Sequence, residues 1–132
     1  MSQANVETVR RWVELYNRRD LEGLINLNDS DVEFRSRFVS IESGFRGQAG
    51  VHAYFEALDD AYEHFQLVPR DFIDAGAAVV VVAHVDWRGK GSGVEAETPV
   101  FPVVWLRAGK VFRTETFTDR REALEAVGLS DG

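Results

Sequence analysis

The sequence predicts an α+β domain with helices stacked on one face of an antiparallel sheet, and three observations carry that reading. Apolar residues recur at helical spacing through the first half of the chain, long strands joined by glycine turns fill the second half, and a capped short helix closes it. With 132 residues, 45% of them hydrophobic, and no low-complexity run, the expectation is a single domain over residues 1–132 built round one core. In such a layer pair a pocket opens between helix and sheet.

The elements follow in order. Val6, Val9, Trp12, Val13 and Tyr16 fall three and four apart and form one stripe of a long amphipathic helix, with Arg10, Arg11, Glu14 and Asn17 outside it. Asp20 caps a short second helix carrying Leu21, Leu24, Ile25 and Leu27, which the polar turn Asn28-Asp29-Ser30-Asp31 ends. A strand is expected from near Val32. The stretch from Arg35 to Gly50 mixes arginine, serine and glycine without period and reads as a loop across the mouth of the domain, a length often used for function. Val51, Phe55, Leu58, Tyr62 and Phe65 mark a third helix whose apolar face Tyr54 and Ala61 widen. Four strands are then expected at Gln66–Asp74, Ala77–Arg88, Val94–Arg107 and Lys110–Thr118, with glycine in each connecting turn. Asp119 with Glu122 is a capping-box pattern for a last helix holding Ala123, Leu124 and Val127, stopped by Gly128.

Composition removes several function classes. A formal charge of −7 opposes a nucleic-acid partner, because phosphate binding needs clustered cations. The absence of cysteine excludes disulfides, thiolate metal sites and cysteine nucleophiles. The polar start Met1-Ser2-Gln3-Ala4-Asn5 is expected to be neither a signal peptide nor a lipidation site, and no apolar run reaches membrane-spanning length. A soluble cytoplasmic protein is the expectation, with no membrane association.

Two strands are apolar on both faces. Val79, Val81, Ala83, Val85 and Trp87 share one face of the second long strand, while the other carries Val80 and Val82 before turning polar at His84, Asp86 and Arg88. Val100, Pro102, Val104 and Leu106 alternate with Phe101, Val103 and Trp105, so neither face of the third suits water. Too few helices remain to cover the back of the sheet. A homodimer packed through Phe101, Val103 and Trp105 is therefore expected.

The order of elements resembles the SnoaL-like polyketide-cyclase branch of the nuclear transport factor 2-like superfamily, with its cystatin-like α+β fold. The residues that carry the resemblance span nearly the whole chain: Tyr16-Asn17-Arg18-Arg19-Asp20-Leu21-Glu22, Val32-Glu33-Phe34-Arg35, Phe45-Arg46-Gly47-Gln48-Ala49-Gly50-Val51, Phe72-Ile73-Asp74-Ala75-Gly76, Gly91-Ser92-Gly93-Val94-Glu95 and Asp119 to Leu129. The resemblance implies a curved sheet wrapped round the first helix, a cone whose open end holds a small, mostly apolar molecule, and a dimer packed through the sheets. Cyclases, steroid isomerases, epoxide hydrolases, dehydratases and pure binders all share this fold, so the reaction has to be argued from residues.

Those residues are sparse in proton-transfer groups. Where the steroid isomerases keep a tyrosine, a general base and a second acid, alignment puts Trp12, Phe34 and Pro102. SnoaL-like relatives often hold a histidine or an acid at the position of Pro102, which has no proton to exchange and which suggests a bulge or an edge strand. Epoxide hydrolysis needs carboxylates flanking an arginine; His84, Asp86 and Arg88, or Arg113 and Glu115, could form such a network, or could simply mark a solvated face. His84 and Asp86 are too few for a metal, and neither His52 nor His64 is placed by the sequence to join them, so neither a metal nor a cofactor is expected. Gly89-Lys90-Gly91-Ser92-Gly93 is a hairpin turn, since no helix follows it to receive a phosphate.

On the last long strand the resemblance turns Thr114 and Thr116 inward, where their hydroxyls would orient a ligand or merely fill a strand. Arg35, Arg37, Glu42 and Arg46 lie at the mouth, as ligand contacts or as solvated loop charge. The pocket lining is thus expected to include Trp12, Tyr16, Phe34, Phe55, Leu58, Val85, Trp87, Val104, Thr114 and Thr116, with no catalytic residue assigned. Two functions remain open. One is a homodimer binding a small, largely apolar metabolite, with isomerase, cyclase or hydrolase activity within the family's range; the other is a non-catalytic interaction module with a vestigial pocket. A cavity of a few hundred cubic ångströms would favour the first, and an interior filled by Trp12, Phe34 and Phe55 the second.

Overall fold

In the structure, a computed structural model describing residues 2–39 and 45–130, the chain begins with helix α1 (Ser2–Arg18) and a short α2 (Leu21–Leu27). Strand β1 (Asn28–Arg35), the two-residue β2 (Phe45–Arg46) and helix α3 (Gly47–Ala61) follow. Four long strands come next, β3 (Tyr62–Asp74), β4 (Ala78–Gly89), β5 (Glu95–Arg107) and β6 (Lys110–Phe117), and α4 (Arg120–Ala126) closes the fold. Among the described residues no helix is long and apolar enough to cross a membrane.

The apolar stripe of α1 is buried as its spacing predicts, with Leu15 added to it. The helix ends because Arg19 takes a left-handed φ of 57° and Asp20 turns to cap α2, its carboxylate accepting from the Gly23 amide at 2.9 Å. At the other end of the chain Asp119 accepts from the amides of Arg121 and Glu122 and starts α4.

The six strands form one curved, open sheet in the order β2-β1-β6-β5-β4-β3. Its pairs are antiparallel with one exception: β1 runs parallel to β6, which corrects the expectation of a wholly antiparallel sheet. The two strands lie far apart in sequence, so no hairpin turn dictates their relative direction. The inner face, with Val79, Val81, Ala83 and Val85 of β4 and Val100, Val104 and Leu106 of β5, packs against α1 and α3 in the main core.

Four further expectations change. Tyr62 and Phe65 belong to β3 rather than to the third helix; a register shift between Tyr62 and His64 lets both residues join the core from a strand. Asn28 to Asp31 begin β1 rather than form a turn, because Asn28 is drawn inside as a hydrogen-bond partner for Trp12. The stretch from Arg35 to Gly50 contains β2 and the first turn of α3, and Gly50 is where that helix lies closest to β2: a Cβ there would stand 2.6 Å from the Phe45 carbonyl carbon. Pro102 occupies neither an edge nor a bulge, since β5 is an interior strand and its register to β4 is the same on both sides of the proline, at Val80–Val103 and Ala83–Val100.

The back of the sheet is also better covered than expected. Ala123 and Leu124 of α4 pack on Ala78, Val80 and Val103, so Val103 is fully buried within a single copy and is unavailable to a dimer interface. Phe101 and Trp105 stay partly exposed at the margin of α4.

Candidate functional site

The open end of the cone narrows into a recess whose walls come from seven elements, Val85 of β4 among them, and from Ser36 and Phe38. Trp12 and Tyr16 rise from α1, Phe34 from β1, Tyr54 from α3, Phe65 and Leu67 from β3, and Val100, Pro102 and Val104 from β5, while Thr114 and Thr116 face in from β6. Arg35, Ser36 and Phe38 stand at the mouth. The aromatic walls pack edge to face: the Phe34 and Tyr54 rings lie 5.1 Å apart at 75°, and Trp12 lies 5.8 Å from Phe34. About 30 Å³ remains free inside, far below the few hundred cubic ångströms of a typical ligand pocket.

The polar end of this recess is a pair of hydroxyls. Tyr16 and Tyr54 share a 2.5 Å hydrogen bond, wholly inside the protein, and Ser36 bonds to Tyr54 from the mouth. Burial pushes Tyr54 up to about 12 despite the opposing hydrogen bonds of Tyr16 and Ser36. Burial also raises Tyr16 well above the ordinary phenol value, and the neighbouring Tyr54 adds to the effect. Both phenols are therefore neutral at physiological pH and act as hydrogen-bond donors and acceptors, not as bases. Deeper in, the Trp12 indole donates to Asn28 Oδ1 at 3.1 Å, while the amide nitrogen of Asn28 is buried without a partner among the described residues.

Of the ten residues expected to line the pocket, the structure gathers seven round the recess: Trp12, Tyr16, Phe34, Val85, Val104, Thr114 and Thr116. Three lie elsewhere. Phe55 packs beneath Tyr16 and Arg19, and Leu58 is fully enclosed in the core. Trp87 stands past the end of the recess beside Tyr62, its indole donating to the Thr98 hydroxyl at 2.9 Å. Tyr54 was passed over as part of an apolar helix face, and Pro102, aligned with an acid of the relatives, is on the wall.

The charges at the mouth are mostly spent on each other. Arg35 and Arg46 both meet Glu33, at 3.1 and 3.5 Å, and Arg37 donates to the Thr116 carbonyl. Glu42 lies outside the described residues. Among the described residues the lining holds no carboxylate and no imidazole, so these side chains can polarise an oxygen but offer nothing to take a proton from carbon.

A wider concavity of about 730 Å³ lies outside the cone, an open groove between Glu63, His64, Asp86 to Arg88 and Glu95 to Glu97. It is solvent-washed, and Arg88 within it pairs with Glu63 and Glu95. The smaller recess is the better candidate because its polar groups are desolvated, whereas the groove's charges are largely solvated and those of Arg88, Glu63 and Glu95 satisfy one another.

The even-numbered residues of β4 face away from the cone. There the β4–β5 register sets Asp86 directly opposite Glu97, and His84 Nε2 stands 3.5 Å from Asp86 Oδ1 and 3.6 Å from Glu97 Oε1. Arg113 and Glu115, bonded at 2.9 Å, form a separate pair on β6. Among the described residues His84, Asp86 and Glu97 are the set whose ligand atoms converge enough to hold a metal, and the third member is Glu97 rather than another histidine.

The chain matches the model of the SnoaL-like domain over residues 9–114. Among solved structures it is similar to a nuclear transport factor 2-like protein of unknown function from Burkholderia pseudomallei, at 22% identity and a TM-score of 0.76 over 95% of this chain and 98% of that one. It is also similar to TerC co-crystallised with polyporic acid, at 24% identity and 0.75 over 94% and 98%. A hypothetical protein with a ketosteroid isomerase-like fold from Catenulispora acidiphila, in complex with trimethylamine, matches at 17% identity and 0.72 over 93% of each chain. No curated protein matches the sequence significantly. With its helices first, its curved open sheet and a family match across most of its length, the chain belongs to the SnoaL-like domain family of the nuclear transport factor 2-like fold.

Proposed function

We propose that this protein binds a small, largely apolar molecule carrying an acceptor oxygen, seated in the cone with that oxygen against Tyr16 and Tyr54. The observation that carries this reading is the buried hydroxyl pair. Phenylalanine at both positions would fill the same space without desolvating two polar groups, so the hydroxyls are costly unless something uses them. Two similar proteins were crystallised with small molecules, but at 24% and 17% identity that likeness speaks for the fold, and this chain's own residues have to support the ligand. Isomerase, cyclase or hydrolase chemistry finds no base among the described lining residues, so binding with polarisation of a carbonyl is the reading these residues support.

The 30 Å³ interior favours the second reading, an interaction module whose cone is closed by its own aromatics. Native mass spectrometry of the purified protein separates the two. A co-purified adduct, or a melting-temperature rise with cyclohexenone or 4-hydroxybenzaldehyde, is expected for the wild type and is expected to be lost in Tyr54→Phe. A clean apo mass with no thermal shift for either carbonyl would leave the module.

We further propose that two copies associate through the back of the sheet beyond α4, where Val82, Phe101 and Phe117 remain partly exposed. Sedimentation at micromolar concentration is expected to give a dimer for the wild type and a monomer for Phe101→Asp. A monomeric wild type would remove the interface.

A further inference from the structure

The structure assigns a divalent metal site of the zinc type to His84, Asp86 and Glu97 on the outer face of the sheet. Zinc holds nitrogen and oxygen ligands at roughly 2.0–2.2 Å, so two ligands of one ion stand about 3 to 4 Å apart. The His84 imidazole is 3.5 Å from one carboxylate and 3.6 Å from the other, and all three ligand atoms lie within 4.8 Å of one another, so a small closing movement completes a three-ligand set.

A second observation is the charge pattern. Asp86 and Glu97 are cross-strand partners on one face, an arrangement in which like charges repel. Arg88, the cation nearest along β4, is engaged by Glu63 and Glu95, so it does not neutralise them. His84 stands between the two carboxylates and offers an imidazole nitrogen, a common metal ligand. A bound cation removes the repulsion and clips β4 to β5 at the end that α4 does not cover.

Ligand chemistry selects the ion. One imidazole with two carboxylates suits a borderline first-row ion better than Mg²⁺ or Ca²⁺, which take oxygen only. Three protein ligands leave at least one position to water, so the site is open.

The test is calorimetric titration of EDTA-dialysed protein with Zn²⁺. One ion per chain is expected to bind saturably at micromolar concentration, with a rise in melting temperature, while Ca²⁺ gives neither. Asp86→Asn and Glu97→Gln keep size and sit at partly or fully exposed positions; each is expected to weaken Zn²⁺ by at least about tenfold. The double variant His52→Ala/His64→Ala is expected to bind like the wild type. No saturable heat below millimolar Zn²⁺, or wild-type affinity in both carboxylate variants, would overturn the site.

Discussion

Replacing Trp12 with alanine is expected to destabilise the fold by about 3–5 kcal/mol, the range for deleting a large aromatic from a core. Trp12 is 4% exposed, and its ring touches both Tyr16 of its own helix and Phe34 of β1, so the hole opens between helix and sheet and cannot close by the movement of one side chain. Its indole N–H is also the partner of Asn28 Oδ1, and the amide nitrogen of Asn28 already has none. The variant leaves a buried amide wholly unpaired, which places the loss toward the upper end of the range. Urea unfolding is the measurement, with a lower midpoint and an unchanged slope expected. Trp12→Phe weights the two causes differently, because it keeps a six-membered ring in the core and removes the donor with the smaller ring that carries it. Indole added to Trp12→Ala is expected to return part of the stability by occupying the enlarged recess. A loss below about 1 kcal/mol would show that Trp12 is not the keystone of the cone.

What the sequence made legible depended on the range of the signal. The stripe of α1 and the alternation of Val79, Val81, Ala83 and Val85 are local, so the helical layer and the inner sheet face could be read directly. The end of α3 could not. Tyr62 and Phe65 continue the spacing of Val51, Phe55 and Leu58, and the register shift that places them in β3 depends on pairing with Arg88 and Gly89 from a distant strand. The polar run Asn28 to Asp31 looked like a turn for the same reason, since what pulls Asn28 inside is an indole on α1.

The site divides along the same line. Trp12, Tyr16 and Phe34 were legible from pattern and resemblance together, while Tyr54 was hidden beside Phe55 on one helix face, where spacing alone cannot say which ring faces the cone. Its hydroxyl gains meaning only from Tyr16, 38 residues earlier. Glu97 likewise becomes a neighbour of His84 only through the β4–β5 register, which the long turn after Gly89 leaves undetermined in sequence.

Stability is expected to fall steeply between about pH 10 and pH 12, and the tyrosine pair is the cause. In the unfolded chain a phenol ionises near its ordinary value of 10.0, whereas folded Tyr54 holds its proton to about 12. Over that window the unfolded state binds fewer protons than the folded one, so the contribution is intact below pH 10 and is lost as pH rises through the folded value. Two units correspond to about 2.7 kcal/mol for Tyr54. Tyr16 shifts in the same direction and steepens the fall, and the partly exposed Tyr62 adds a weaker pull of the same sign. Urea melts across this range, read beside tyrosinate absorbance, check the origin: the wild type is expected to show the two buried phenols ionising only with unfolding, and Tyr16→Phe/Tyr54→Phe to flatten the profile. An equally steep profile in the double variant would assign the loss to other groups. The same measurement bears on function, because phenols that stay neutral until the fold gives way can donate to a ligand's oxygen at physiological pH and cannot serve as its base.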